Sequence, residues 1–200
     1  HKNIVAVHDV GHDGDLHFIV MDFVDGPTQQ HALEGMRAPD YDIRTAEHVR
    51  EQVKLIADIA DALQYAHSAG IVHRDVKPAN ILLENGEARL TDFGIAKQLD
   101  EPNMTRTGHL MGSAAYMSPE QVNAIPSKID PRSDVFSLGV VLYESLSLYQ
   151  PFRADTIEES ILNVVYTSPS RLRQRNSAVP KDLEVVCGKA MEKDPFHRYQ

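Results

Sequence analysis

His73-Arg74-Asp75-Val76-Lys77-Pro78-Ala79-Asn80 and, twelve positions past Asn80, Asp92-Phe93-Gly94 decide how this chain is read. Between them Ile81 to Leu83 and Ala88 to Thr91 flank Asn85-Gly86, the tight-turn signal of a β-hairpin. Two acidic residues and one amide therefore stand at the two ends of one short hairpin and converge on a small volume.

Outward from this centre, Val49, Val53, Ile56, Ala60 and Leu63 recur at steps of four and three. They predict an amphipathic helix from Ala46 to Ser68, with Thr45 as its cap, Glu47 in its first turn and Gly70 just past its end. Ile4 to Val10 and Leu16 to Val20, around Asp13-Gly14, predict a hairpin near the start, closed off by Gly26-Pro27. Residues 95 to 127 show no period and many Gly, Ser, Thr and Pro, which reads as a long functional loop. Helical signals return near Arg132, with Ser133 as cap and Val135, Leu138, Leu142 and Leu146 on one face. A shorter helix is expected over Thr156 to Val165, and Pro180 opens a last one with Leu183, Val186, Cys187 and Ala190 inward. The fold class is α+β, a small β piece followed by a mostly helical part.

The formal net charge of −9 opposes nucleic acid or an anionic membrane surface as the main partner, since both favour a basic face. The single cysteine, Cys187, excludes an internal disulfide framework and suits a reducing compartment; its apolar neighbours mark it as a buried thiol. No apolar run reaches the ~18 residues of a membrane span, and His1-Lys2-Asn3 is no signal peptide. The ten histidines show no metal-ligand spacing.

The chemistry of the central stretch follows from its residue types. One carboxylate can accept a hydroxyl proton. The other carboxylate and the amide oxygen can hold Mg²⁺, a hard cation that prefers oxygen. Phosphoryl transfer depends mainly on positioning and charge neutralisation, so this inventory suffices for its core.

The paired motifs resemble the catalytic and metal-binding loops of the protein kinase family, and their order and spacing are specific to it. The resemblance covers nearly the whole chain and is nearest to the bacterial Ser/Thr kinases of eukaryotic type. It implies a kinase-like fold, with residues 1–24 as a remnant of the N-lobe and 25–200 as the helical C-lobe. It makes Asp75 the catalytic base, puts Lys77 beside the transferring phosphate and gives Asn80 and Asp92 to the metal. Lys77 at its position favours Ser/Thr over Tyr specificity. Met21-Asp22-Phe23-Val24 looks like the hinge, with Met21 as gatekeeper, backbone groups of Asp22 and Val24 for adenine, and Leu82 as the floor.

Met117-Ser118-Pro119-Glu120 resembles the segment closing the activation loop, and Arg198 the arginine that pairs with Glu120. Asp134 matches the residue bracing the catalytic loop, Ser113 the hydroxyl touching Asp75 and Lys77, and His73 a structural ring packed on Phe93. Thr105 and Thr107 fall where the family carries activating phosphothreonines, with Arg74 and Lys97 as the basic residues that read them. The implied cofactors are ATP and Mg²⁺, and the implied partner is a protein substrate offering Ser or Thr; self-association for autophosphorylation is compatible with this.

The family also needs a glycine-rich loop over the phosphates, a strand lysine and its glutamate partner, and none is found in the sequence. His1-Lys2-Asn3-Ile4-Val5 resembles the segment just after them. The expectation is a piece of a longer kinase, cytoplasmic in this part, inactive by itself, with any membrane anchor lying outside it. A rival reading, a scaffold of the same fold that binds without catalysis, has no chemical need for Asp75, Asn80 and Asp92 together. A small-molecule phosphotransferase is opposed by the long loop ending at Met117-Ser118-Pro119-Glu120.

Overall fold

The computed structural model describes residues 1–14, 16–93, 110–125 and 129–200. The chain opens with an antiparallel hairpin, β1 (Val7–Asp13) and β2 (Leu16–Met21), in which Gly14 takes φ +58° at the bend. β1 begins later than the sequence suggests. Asn3 to Val5 run instead beside the later hairpin, where Val5 N–H donates to the Leu90 carbonyl (3.0 Å) and Leu90 N–H to that of Asn3 (2.8 Å).

Gly26-Pro27 then brings the chain against β3 (Ile81–Glu84), and Leu83 N–H donates to the Pro27 carbonyl at 2.9 Å. A Cβ on Gly26 would lie 1.8 Å from the Leu83 carbonyl oxygen, so no other residue fits this approach. Thr28 caps α1 (Gln29–Gly35), a short helix the periodicity did not announce. α2 (Ala46–Ser68) follows as expected, with the Thr45 hydroxyl accepting from His48 N–H and Gly70 at φ +77° turning the chain out. β3 and β4 (Glu87–Leu90) pair around Asn85 and Gly86, both at positive φ, the backbone a type I′ turn demands.

The described part of the 95–127 segment is less irregular than its composition suggests. It holds single turns, α3 (Leu110–Ser113), a 3₁₀ turn (Ala114–Tyr116) and α4 (Pro119–Val122), each too short to show a period. α5 (Pro131–Ser147) is capped by Asp130 with proline in its first turn, one turn earlier than the expected Ser133. Ser133 is buried and donates to Glu120 instead (2.7 Å).

α6 (Ile157–Tyr166), α7 (Leu172–Arg175) and α8 (Lys181–Ala190) complete the helical part. α5 runs through its middle, packed by α2 on one side and α8 on the other. Its burial is therefore nearly all round: Phe136, Val140, Val141 and Tyr143 are inside along with Leu142 and Leu146 of the expected stripe, whose Val135 and Leu138 are half-buried. On α8, Cys187 and Ala190 face inward and Val186 is exposed, contrary to its apolar character. The Cys187 thiol touches the Gly139 carbonyl (3.5 Å), and burial pushes its pKa up to about 12, so it is inert. Among the described residues no helix is long and apolar enough to cross a membrane.

Candidate active site

The segment between α2 and β3 carries His73 to Asn80, and its backbone is clamped from below. Asp134, in the first turn of α5 and 1% exposed, takes His73 N–H on Oδ2 and Arg74 N–H on Oδ1, each at 2.8 Å. His67, from the last turn of α2, reaches the same Oδ2 with its Nε2 at 2.8 Å. Gln121 from α4 donates to the Arg74 carbonyl at 2.7 Å. These bonds hold Arg74 at φ +66°, a conformation that a non-glycine residue keeps only when its surroundings impose it.

His73 ties the two ends of the hairpin together. Asp75 N–H donates to its Nδ1 (3.2 Å), so the proton sits on Nε2, which bonds the Thr91 carbonyl at 2.9 Å. Burial lowers its pKa, outweighing the opposing pull of Asp134, and the ring is neutral. Its other contact is Phe93, with ring centroids 4.6 Å apart.

Within this frame the Lys77 ammonium lies 2.8 Å from Asp75 Oδ2 and donates to Ser113 Oγ at 3.0 Å, linking the loop to the end of α3. Asn80 turns its Nδ2 to the Asp75 carbonyl (2.8 Å) and carboxylate (3.1 Å), which points its Oδ1 away from Asp75. The Asn80 carbonyl accepts from Thr91 N–H at 3.0 Å, so Asp92 follows directly beside Asn80. Asp92 is exposed and sits at φ +58°, a second non-glycine residue in the left-handed region.

Among the described residues no group of three His, Cys, Asp or Glu side chains could enclose a metal. The donor set here is one amide oxygen and one carboxylate. That fits Mg²⁺, which is typically held by one or two carboxylates plus substrate phosphates and water rather than a full protein cage.

The expected hinge residues lie above this centre. Met21 ends β2 and receives the Thr91 hydroxyl at its sulfur (3.8 Å). A cavity of about 30 Å³ runs between Val5, Ile19, Met21, Thr91 and Asp92. Asp22 N–H is engaged by the Ala6 carbonyl at 2.9 Å. Its carboxylate meets His8 Nε2 at 2.6 Å, and Val24 is buried. Leu82 is half-buried on β3, opposite Arg89.

Farther out, Arg198 and Glu120 form a buried ion pair, 2% and 4% exposed, at 2.7 and 2.9 Å. The remaining Arg198 donors go to the carbonyls of Arg132, Glu192 and Lys193 (2.8, 2.7 and 3.0 Å). Burial pushes the Glu120 pKa up, but the bonds from Arg198 and Ser133 win and hold it low. Lys97, Thr105 and Thr107 lie outside the described residues, as does Gly94. Arg74 Nε is buried and has no acceptor among the described residues.

Sequence reasoning missed His67 and Gln121. His67 had a signal: it continues the α2 stripe of Ala60 and Leu63 at the next step of four, where an apolar residue was due. Gln121 sits in a single helical turn and gave none.

These elements are those of a protein kinase domain. The sequence profile of the protein kinase domain family matches residues 1–200, and the chain belongs to that family. Among curated proteins it is 36% identical to the serine/threonine-protein kinase PrkC of Bacillus subtilis, covering 100% of this chain and 30% of that protein. It is 39% identical to PknB of Mycolicibacterium smegmatis, covering 100% of this chain and 32% of that one. The chain thus spans about a third of the length of these relatives. Among solved structures, the kinase domain of Mycobacterium tuberculosis PknI matches with a TM-score of 0.73 at 27% identity, over 100% of this chain and 66% of the other. The fold is a partial kinase fold, with a small β part and a helical remainder.

Proposed function

We propose that the protein containing this chain is a Ser/Thr protein kinase that transfers the γ-phosphoryl group of ATP to protein hydroxyls. The observation that carries the reading is the cluster of Asp75, Lys77, Ser113 and Asn80, fixed by Asp134 and His73 and set beside Asp92. Asp75 is the base that takes the hydroxyl proton. Lys77 steadies its carboxylate and adds positive charge where the phosphoryl group passes. Asn80 Oδ1 and the Asp92 carboxylate would hold Mg²⁺, which when bound neutralises the developing charge on the phosphate oxygens. Met21, the Asp22 carbonyl, Val24 and Leu82 would surround the adenine. Residues 1–24 form the base of an N-lobe and 25–200 the C-lobe. The one inert thiol and the use of ATP suit a cytoplasmic location.

The same reading makes Arg74 a receiver for an anion. Its buried Nε has no acceptor among the described residues, and its backbone is strained and clamped next to Asp75. A phosphothreonine at Thr105 or Thr107 brings ~1.5–2 negative charges and three acceptor oxygens, which suit the guanidinium fork; Lys97 adds a point charge. The test is incubation of the full-length protein with labelled ATP and Mg²⁺, followed by phosphoamino-acid and peptide analysis. Phosphothreonine at Thr105, Thr107 or both is expected. Label found only on tyrosine would contradict the Ser/Thr assignment, and label absent from both threonines would remove the switch.

A further inference from the structure

A cavity of about 240 Å³ opens beside Lys77, between α1, the Lys77-Pro78-Ala79 turn, Ser113 to Tyr116 and the residues after α5. Lys77 stands in its wall with its ammonium 2.8 Å from Asp75. On the kinase reading, a peptide that delivers a hydroxyl to Asp75 passes beside this wall, and the charges there bear on which neighbouring residues it accepts.

The wall carries two carboxylates, one buried in an ion pair and one at the solvent-exposed rim. Glu144 is buried; one oxygen takes Arg37 at 2.9 Å and the other takes the Tyr116 hydroxyl. Burial and the adjacent Glu144 push the Tyr116 phenol well above its ordinary pKa, so it stays a donor to Glu144 at any physiological pH. Glu34 is exposed at the rim and accepts from Gln30 at 3.2 Å.

The cations are placed differently. Arg153 is exposed, and its guanidinium has no ion pair among the described residues. Its backbone N–H is held by Gln150 Oε1 at 2.6 Å, and its positive field reaches the Tyr116 phenol. Arg37, 41% exposed, lines the cavity while bonding Glu144 and the Leu148 carbonyl (3.4 Å). An anionic side chain entering here meets Arg153 and Arg37. A cationic one meets them too, with only the solvated Glu34 to offset the repulsion.

We propose that this cavity selects protein substrates with an aspartate or glutamate close to the phosphoacceptor hydroxyl and disfavours lysine or arginine there, with Arg153 as the specificity-determining residue. The proposal rests on the kinase reading above. The test uses the full-length protein with ATP and Mg²⁺ and three peptides that share one threonine. They carry Glu, Gln or Lys at a single position, scanned over the three residues on either side. At one position at least, kcat/KM should run Glu above Gln above Lys, about two- to five-fold per step as for an exposed ion pair, with the difference mainly in KM. In the Arg153→Glu protein the order should invert. Ratios taken within one preparation are insensitive to how much of the variant is folded. Equal rates for the three peptides at every position, or an order that survives Arg153→Glu, overturn this proposal alone. Transfer to no peptide and no residue of the protein itself overturns the kinase reading and this proposal with it.

Discussion

Glu120 and Arg198 are 78 positions apart in sequence yet share two hydrogen bonds in the interior. Removing one partner of such a pair leaves a buried charge alone, at a cost of about 3–5 kcal/mol. Glu120→Ala is therefore expected to lower the Tm of the full-length protein sharply, and an unchanged Tm would contradict the burial described. His73 gives a second residue-scale test, in pH. Its folded pKa is lowered by burial, whereas the unfolded imidazole takes up a proton near ~6.5. Below that pH the unfolded chain binds more protons, so the stabilising contribution is present above ~6.5 and declines as pH falls toward the lowered value. His48, lowered by burial too, acts with the same sign. His73→Gln can keep both bonds, to Asp75 N–H and to the Thr91 carbonyl, without titrating. Its Tm should fall less steeply than wild type between pH 7.5 and 5.5; equal slopes would contradict the neutral, buried ring. That Asp75 and Asn80 come together was legible from the spacing of their motif, and Asn80 indeed bonds Asp75. His67 and Gln121 were not, since an isolated polar side chain does not reveal which backbone it holds.

At the scale of elements, legibility follows length and turn chemistry. α2 runs the length its stripe and caps indicate, and Asn85-Gly86 bends β3 into β4 with both residues at positive φ. α1 and the single turns near Ala114 and Pro119 escaped notice because three to seven residues show no period. The face of α5 was misjudged for a different reason: a helix packed on several sides has no polar face to reveal its orientation. Gly26 shows the opposite case, a small signal with a large structural cause. Its Cβ position is 1.8 Å from the Leu83 carbonyl oxygen, and both groups are backbone. Gly26→Ala must push the linker off β3 and break the bond from Leu83 N–H to the Pro27 carbonyl. A loss of about 1–3 kcal/mol is expected, as for overpacked sites, read as a lower Tm of the full-length protein. A Tm equal to wild type would mean that the approach is looser than described.

Across the whole molecule, the β1–β2 hairpin exposes Val10, Leu16, Phe18 and Val20, while the helical part encloses its own core around α5. The cluster around Asp75 belongs to that enclosed part, and Met21 and Asp22 lie where the hairpin meets it. Among the described residues no glycine-rich turn and no strand lysine stands over the site, so phosphate binding calls for tests on the full-length protein. The central claim is that Asp75 takes the proton from the accepting hydroxyl. The direct measurement compares full-length wild type with Asp75→Asn for transfer of labelled γ-phosphate to a Ser/Thr protein substrate, with ATP binding measured on the same samples. Asp75→Asn keeps the size and removes the proton acceptor, so ATP binding should persist while transfer falls by ~10²–10⁴-fold. Incorporation of label by Asp75→Asn at the wild-type rate would contradict the account.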